Sequence, residues 1–164
     1  MTIVRINLGC GKDIREGWIN VDKTPLNGVD VLHDLNKFPY PFPSNYADFI
    51  LMKSILEHLD DTVRVMSEIY RILKPKGRVK IIVPYYKHET AFADPTHKHF
   101  FTPSSMDFFI EGGKHADWYV PFKFKLIKKK VYRGGFPFYH IKKYFGIDLK
   151  LPIFPDTIEW ILEK

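Results

Sequence analysis

Short apolar runs recur along the first half of the chain, and each ends close to a glycine or an acidic residue. Runs of this length, bounded in this way, predict β-strands. The run at 47–52 is apolar over nearly its whole length, which is typical of a central parallel strand covered on both faces. The five predicted strands are 3–8, 18–21, 29–32, 47–52 and 79–83.

One helix is predicted between the fourth and the fifth of these strands. Its apolar positions recur every three or four residues from Val65 to Leu73, and Asp60-Asp61-Thr62 supplies the start signal. Pro75 and Gly77 are expected to end it. A helix that joins two buried strands indicates an α/β sheet.

The second half of the chain has a different pattern. Residues 84–102 show no strong period and hold three of the seven histidines, so we expect a long functional loop there. Residues 102–105 carry a helix start signal that leads into 106–110. Residues 122–132 and 157–162 are predicted as strands, the last of them antiparallel. The elements together predict one α/β domain, 1–164, with an open, mostly parallel sheet and helices on both faces.

Composition supports a single core. A length of 164 residues with 16% aromatic side chains supplies enough apolar surface to fold without disulfides or a structural metal. Cys10 is the one cysteine, so an internal disulfide is excluded. The sequence shows neither an apolar run as long as a membrane span nor an N-terminal signal segment, and we expect a soluble, cytoplasmic protein.

The net charge of +6 is concentrated in residues 114–150, which hold ten Lys or Arg against two Asp. We call this stretch the basic segment. It is either a solvated strand face with outward-pointing lysines or a surface for nucleic acid, an anionic lipid headgroup or a phosphorylated substrate.

The connection between the first two strands is unusually short. Seven residues lie between Gly11 and Ile19, whereas a parallel crossover with a full helix needs about ten to twelve. We expect this helix to be one turn long or missing. The turn after the first strand is then more open than in a full βαβ unit.

Three features at the predicted strand ends indicate a nucleoside ligand. The glycines of N-L-G-C-G (7–11) allow a tight turn and a close ligand, but Ile14 breaks the dinucleotide fingerprint, and the sequence has no P-loop motif. Asp22, after the second strand, suits a ribose diol; its alternative role is a turn cap. Asp34 and Leu35, after the third strand, offer an acceptor and an apolar surface to an adenine ring.

In this order and spacing, the motifs resemble class I S-adenosylmethionine-dependent methyltransferases. The resemblance covers residues 3–84, and it is closest to small members that run from the glycine turn almost directly into G-W-I-N-V-D. It implies a Rossmann-like fold, methyltransferase activity and S-adenosylmethionine as cofactor, with a cofactor-binding half at 1–84 and a substrate loop with C-terminal strands at 85–164. The motifs that carry it are N-L-G-C-G, G-W-I-N-V-D (17–22), V-L-H-D-L (31–35), A-D-F-I-L (47–51), S-I-L-E-H-L (54–59) and E-I-Y-R-I-L-K-P-K-G (68–77).

The resemblance also implies which residues hold the cofactor. The family usually has an acidic residue where Asn7 stands, although an amide oxygen also accepts hydrogen bonds. Cys10 is expected to be a small turn residue and not a nucleophile. The implied contacts are Asn7, Gly9, Cys10 and Gly11 for the methionine part, Asp22 for the ribose, Asp34 and Leu35 for the adenine, and Met52, Lys53, Ser54, Glu57 and His58 near the sulfonium.

The loop after the fifth strand is expected to meet the acceptor. A hydroxyl acceptor loses a proton as it is methylated, and we predict His97 as the general base, oriented by Asp94, with His88 and His99 as substrate contacts. The alternative is that these side chains only hold the loop together. They are metal-ligand types without a fixed ligand spacing, so no metal site is predicted.

The acceptor class is narrowed by two missing motifs. Residues 52–54 read Met-Lys-Ser where amino-methylating nucleic-acid enzymes of this fold carry D/N-P-P-Y/F/W, and the sequence has no Pro-Cys nucleophile. We therefore expect O-methylation of a small-molecule or glycan-type acceptor. Two alternatives stay open: a non-catalytic S-adenosylmethionine-binding or interaction subunit, and an RNA-binding or RNA-modifying protein that uses the basic segment.

Overall fold

Seven strands form one sheet in the computed structural model, which describes residues 2–113, 120–133 and 155–164. Across the sheet the strands follow the order β3-β2-β1-β4-β5-β7-β6, with β1 to β5 paired in parallel and β7 antiparallel to both its neighbours. In chain order they are β1 (Arg5–Leu8), β2 (Ile19–Asp22), β3 (Val31–Leu32), β4 (Ala47–Lys53), β5 (Leu73–Pro84), β6 (Lys125–Arg133) and β7 (Pro155–Glu163).

This architecture confirms the predicted α/β class, the mostly parallel sheet and the antiparallel last strand. All the strands predicted from the apolar runs are present. The largest difference is that β5 begins at Leu73, six residues before the predicted start, while β1 begins at Arg5 and β3 is reduced to two residues.

The helix α1 (Thr62–Ile72) connects β4 to β5. Its start is as predicted, because the Asp61 carboxylate accepts a hydrogen bond from the Arg64 N–H at 2.9 Å. It ends earlier than predicted. Pro75 disfavours helical backbone at the residue before it, and Leu73 is already extended and pairs with Ala47 of β4.

The two faces of the sheet differ. One is apolar and packs against α1, which contributes Val65, Met66, Ile69 and Ile72 to the core. The opposite face carries the buried polar side chains of Asn7, Asn20 and Glu159. Helices were expected on both faces of the sheet. Within the described ranges, α1 is the one helix longer than a single turn, and it covers one face. The strand residues of the apolar face include Ile6, Leu8, Ile50, Met52, Val79, Ile81, Val83, Ile158, Trp160 and Leu162.

Two buried asparagines hold in place the short connection between β1 and β2, where a full βαβ unit has a helix. The Nδ2 of Asn7 donates to the Asp13 carbonyl at 2.7 Å and to the Oδ1 of Asn20 at 3.2 Å. Asn20 in turn donates to the Arg15 carbonyl at 3.1 Å and accepts from the Arg15 N–H at 3.0 Å. This short connection is described in full and contains no helix, as its length predicted.

The predicted helix at 106–110 is wrong. Residues Ser105–Phe108 form one 3₁₀ turn. The chain cannot continue as a helix because the Phe109 carbonyl accepts the N–H of Phe124 at 2.8 Å and Ile110 forms a bridge with Phe124. The preceding stretch, 84–102, is the predicted loop, with one helical turn, α2 (Thr90–Ala93).

Only part of the basic segment lies within the described residues. On β6, Lys128 pairs with Glu159 at 2.8 Å and Lys129 with Asp107 at 3.3 Å, which agrees with a solvated strand face for this part. Lys114, Lys142, Lys143 and Lys150 lie outside the described residues. Of the helices that are described, none has the length and apolar character needed to cross a bilayer.

Candidate functional site

The parallel strands end at the same edge of the sheet, where two cavities open. Gly9 follows β1, Asp22 ends β2, Ser54 follows β4 and Pro84 ends β5. Ligands of open α/β sheets bind outside the carboxyl ends of the strands, so this edge is the expected place for a site.

The first cavity, here called the strand-end pocket, lies over β1 and β2. Five of the residues predicted to hold the cofactor line it, and their convergence here agrees with the order of motifs in the sequence. Its lining is Gly9, Asp22, Lys23, His33, Asp34, Leu35, Asn36, Ile55, His58 and Leu59.

Asp22 holds the glycine turn. Its Oδ2 accepts the N–H of Gly11 at 2.8 Å, and its Oδ1 accepts the N–H of Thr24 at 2.9 Å. The turn cap proposed as the alternative role is therefore present. Each carboxylate oxygen has a second lone pair, so the cap leaves acceptor capacity for a ribose hydroxyl.

Gly9 packs against Ile55. It has a φ of +66°, and a Cβ atom at this position would lie 2.3 Å from the Ile55 Cγ1. The turn after β1 therefore packs so closely against Ile55 that no side chain fits at Gly9. Replacement of Gly9 would strain the backbone as well as the pocket, so it is a poor probe of ligand binding.

The adenine side of the pocket is also held by the fold. Asp34 accepts the N–H of Asn36 through Oδ1 at 3.0 Å. Leu35 is buried, and its carbonyl accepts the hydroxyl of Tyr40 at 2.9 Å. These contacts fix an acidic side chain and an apolar side chain on the same wall.

Several predicted cofactor contacts do not line the strand-end pocket. Met52 is completely buried in the core and Asn7 faces the short connection, while Lys53 pairs with Asp13 at 3.2 Å. Cys10 is also buried, and burial raises the pKa of its thiol, as expected for a turn residue and not for a nucleophile. Gly11 is absent from the wall but donates its N–H to Asp22.

The second cavity, here called the loop cleft, is an open space of about 620 Å³ beneath residues 84–102. The loop is closed at its base, where the Tyr86 N–H donates to the Phe101 carbonyl at 3.0 Å. It is also attached to the 3₁₀ turn after β4, because the Glu57 carbonyl accepts the N–H groups of Lys98 and His99. The lining residues are Ser54, Glu57, His58, Pro84, Thr90, Ala93, Asp94, Pro95 and His97.

Three potential ligand residues meet in the loop cleft. One ligand atom each from Glu57, His58 and His97 lie within 4.8 Å of one another. We call these residues the cleft cluster. Glu57 is 1% exposed, and neither carboxylate oxygen accepts a hydrogen bond from another residue in the described ranges. Burial raises the pKa of Glu57 to about 7.

Hydrogen bonds fix the orientation of both imidazole rings. The Nδ1 of His97 lies 2.7 Å from the Ala91 carbonyl, which can only accept, so Nδ1 carries the proton. The Nδ1 of His58 lies 2.9 Å from the Thr96 hydroxyl, and that hydroxyl donates to Asp94 at 2.7 Å, so this Nδ1 also donates. In the neutral rings, both Nε2 atoms therefore hold a lone pair. Burial, followed by the nearby His97, lowers the pKa of His58.

The expected pairing of His97 with Asp94 is wrong. The Asp94 carboxylate accepts the N–H and the hydroxyl of Thr96, and these bonds lower the pKa of Asp94. His97 is oriented by Ala91 instead. Asp94 acts through Thr96 on His58, a residue predicted from a different motif.

The two remaining loop histidines lie elsewhere. His88 is outside the wall of the cleft, and its Nδ1 contacts the Thr90 hydroxyl at 2.9 Å. His99 is also outside the wall, with its ring 6.5 Å from that of Phe101. Their placement does not support the expected role as substrate contacts.

The sequence reasoning missed residues that complete both cavities. Ile55 and Leu59 are apolar side chains of the strand-end pocket, and they belong to the motif S-I-L-E-H-L that had been noted for its polar members. Thr96 and Ala91 orient the cleft cluster. Nothing in the sequence marks the Ala91 carbonyl as a partner of His97. Thr96 could have been found, because an Asp side chain often accepts a hydrogen bond from the residue two positions later.

The first half of the chain is similar in sequence to known methyltransferases. Residues 7–81 match the sequence model of a family described as a methyltransferase domain. The demethylmenaquinone methyltransferase of Listeria welshimeri is 32% identical over 69 residues, and that of Symbiobacterium thermophilum is 36% identical over 73 residues. Each alignment covers 42% of this chain and 29% of the relative, so the match spans less than a third of each relative's length.

Solved structures match over almost the whole chain. A SAM-dependent methyltransferase from Archaeoglobus fulgidus has a TM-score of 0.66 at 19% identity, covering 99% of this chain and 86% of its own. One from Mesorhizobium loti has a TM-score of 0.63 at 14% identity, covering 99% and 91%. These structures confirm the Rossmann-like fold, and the family match over residues 7–81 supports the resemblance to class I methyltransferases.

Proposed function

Because residues 7–81 match the sequence model of a methyltransferase domain, we propose that this chain binds S-adenosylmethionine in the strand-end pocket and methylates a small-molecule acceptor in the loop cleft. The observation that carries the proposal is that His58 lines both cavities. A cofactor in the strand-end pocket and an acceptor in the loop cleft would therefore lie on either side of His58. Such proximity supplies much of the rate enhancement of a methyl transfer.

The strand-end pocket has the chemistry that this cofactor needs. Asp22 retains acceptor capacity for the ribose diol, and Leu35 and Ile55 give apolar surface to the adenine. When bound, S-adenosylmethionine supplies an electrophilic methyl group on a sulfonium sulfur. Asn7 and Cys10 stay predicted contacts of the methionine part, and Met52 and Lys53 stay predicted contacts near the sulfonium, although the side chains of all four are absent from the pocket wall.

The cleft cluster is the part of the site that activates the acceptor. A hydroxyl group must lose its proton as it is methylated, and Glu57, His58 and His97 present a carboxylate and two Nε2 lone pairs to the cleft. His97 stays the predicted base for this step in the absence of a metal ion. Its Nε2 is available because Nδ1 donates to Ala91.

An exposed aromatic pair favours a ring-bearing acceptor. Phe92 and Phe100 are 62% and 48% exposed, and their rings stack with centroids 4.6 Å apart. Phe92 adjoins Ala93, which lines the cleft. The relatives are named demethylmenaquinone methyltransferases and, in one case, a ubiquinone/menaquinone biosynthesis C-methyltransferase, so quinone-type acceptors methylated at carbon are tested beside aromatic hydroxyls.

Binding and turnover test the proposal separately. Calorimetric titration with S-adenosylmethionine, NAD and ATP is expected to show binding of the first alone. Isotope-labelled cofactor is then offered with hydroxylated aromatic rings, with sugars and with a short RNA, and the methylated atom is identified by mass spectrometry. Absence of S-adenosylmethionine binding would overturn the proposal, and binding without transfer to any acceptor would favour the non-catalytic alternative. RNA binding that weakens steeply with salt would favour the RNA alternative.

A further inference from the structure

We propose that Glu57, His58 and His97 form a binding site for one divalent transition-metal ion in the loop cleft. The role of the ion in activating the acceptor rests on the proposed function, whereas the metal site itself does not. The site itself follows from three side chains whose ligand atoms lie within 4.8 Å of one another.

The buried carboxylate is the first reason. Glu57 is 1% exposed and lines the cleft, yet neither of its oxygens has a hydrogen-bond partner on another residue in the described ranges. An unpartnered buried carboxylate is costly, because it loses its hydration and gains nothing in return. A cation in the cleft would supply the missing partner.

The orientation of the imidazoles is a second and independent reason. The Ala91 carbonyl holds His97 by Nδ1, and the Thr96 hydroxyl holds His58 by Nδ1. Histidines that bind metals show this arrangement, in which one ring nitrogen donates to a carbonyl or a carboxylate-linked group and the other faces the ion. Here Asp94 stands behind Thr96 and completes the chain of hydrogen bonds to His58.

The donor set defines the class of ion. Two imidazole nitrogens and one carboxylate oxygen suit Zn²⁺, Co²⁺ or Fe²⁺, whereas Mg²⁺ prefers oxygen ligands alone. The ring centroids of His58 and His97 are 4.7 Å apart, so ligand atoms of both rings lie close enough to serve one ion. Three protein ligands leave coordination positions open toward the cleft.

An ion at this position changes how the acceptor is activated. The Nε2 of His97 is then a ligand and not the general base predicted from the sequence. The ion binds the acceptor oxygen and lowers the pKa of its hydroxyl, so the proton passes to solvent before the oxygen is methylated. The proposal departs from the sequence-based expectation of no metal site, and it does not use His88 and His99, which lie outside the cleft wall.

The test is calorimetric titration of the full chain, purified in the presence of a chelator, with Zn²⁺, and in parallel with Mg²⁺. We expect one Zn²⁺ per chain and little Mg²⁺ binding. The Kd for Zn²⁺ should rise at least tenfold in Glu57→Gln and in His97→Gln, and should not change in His88→Gln. Binding of Co²⁺ should give visible absorption bands that Zn²⁺ abolishes.

S-adenosylmethionine binding is measured on the same samples. This measurement separates the inference from the proposed function, and far-ultraviolet circular dichroism verifies that each variant is folded. Cofactor binding without Zn²⁺ binding, or Zn²⁺ binding that is equal in wild type, Glu57→Gln and His97→Gln, would overturn the metal site. Zn²⁺ binding without cofactor binding would leave the metal site in place and overturn the proposed function.

Discussion

Asn7 of β1 donates a hydrogen bond to Asn20 of β2 in the interior of the protein, at 3.2 Å. The two strands also pair directly, and in that pairing Asn7 lies opposite Asn20. On the polar face of the sheet, both side chains also donate hydrogen bonds to backbone carbonyls of the short connection between β1 and β2. They thereby hold this connection, which stands in place of a crossover helix.

We expect Asn20→Ala to destabilise the fold by about 1–3 kcal/mol, because the Arg15 amide and the Asn7 amide each lose a buried partner. Chemical denaturation measures the change. Asn27→Ala, in the exposed turn after β2, serves as the control and should change stability by less than about 0.5 kcal/mol. Equal stabilities of the two variants would contradict this role of Asn20.

Asp22→Ala is expected to weaken S-adenosylmethionine binding by about 1–3 kcal/mol, through loss of the ribose acceptor and of the bond to Gly11. Calorimetry gives the Kd. Asp48→Asn is the matched control, since Asp48 also accepts a backbone N–H, that of Val4, but lies at the start of β4. An unchanged Kd in Asp22→Ala would refute the assignment of the strand-end pocket.

Thr96→Val removes the hydroxyl that joins His58 to Asp94. Loss of an outer partner of a metal-binding histidine costs roughly 10- to 100-fold in metal affinity, and we expect a loss of Zn²⁺ affinity in that range. Thr102→Val, at the end of the same loop, is the control. Wild-type Zn²⁺ affinity in Thr96→Val would show that this chain of hydrogen bonds has no part in metal binding.

Glu159 contributes to the dependence of stability on pH in the acid range. Burial alone would raise its pKa, but ion pairs with Lys128 and Lys80 outweigh burial and lower the pKa of Glu159 to about 2. Its stabilising effect is therefore complete above the unfolded-state pKa, near 4.5, and is lost as the pH falls toward 2. A shift of this size corresponds to roughly 3 kcal/mol.

We expect Glu159→Gln to be less stable than wild type at pH 7, by up to this amount, and the difference to shrink between pH 4.5 and pH 2. Denaturation at several pH values measures it. Glu163→Gln, which breaks the more exposed pair with Arg78, should cost less than about 1 kcal/mol. A difference between Glu159→Gln and wild type that does not depend on pH would contradict the argument.

The sequence was sufficient to predict the parallel strands of the first half and the ligand-binding edge at their ends. Both follow from local patterns, because a glycine turn or an acidic residue marks the end of each parallel strand and such ends share one edge. Gly9, Asp22, Asp34 and Leu35 reach the pocket for this reason. The short connection was predictable from its length alone.

The cleft cluster depended on contacts that leave no local pattern. His97 reaches Glu57 because the N–H groups of Lys98 and His99 bond to the Glu57 carbonyl, about forty positions earlier in the chain. Asp94 was assigned to the wrong partner because Thr96, two residues away, is the nearer donor. The helix expected at 106–110 was likewise overridden by distant backbone bonds to Phe124.

The position of β7 between β5 and β6 has a consequence for the rate of folding. β7 pairs with β5 across a large separation in sequence, as the 85 positions between Arg78 and Glu163 show, but with β6 across a much smaller one. Pairing strands with the smaller separation in sequence costs less entropy, so the β6–β7 pair is expected to form first and to dock as a unit. Docking of β7 onto β5 is then the slow step, and substitutions at this seam should slow refolding more than they accelerate unfolding.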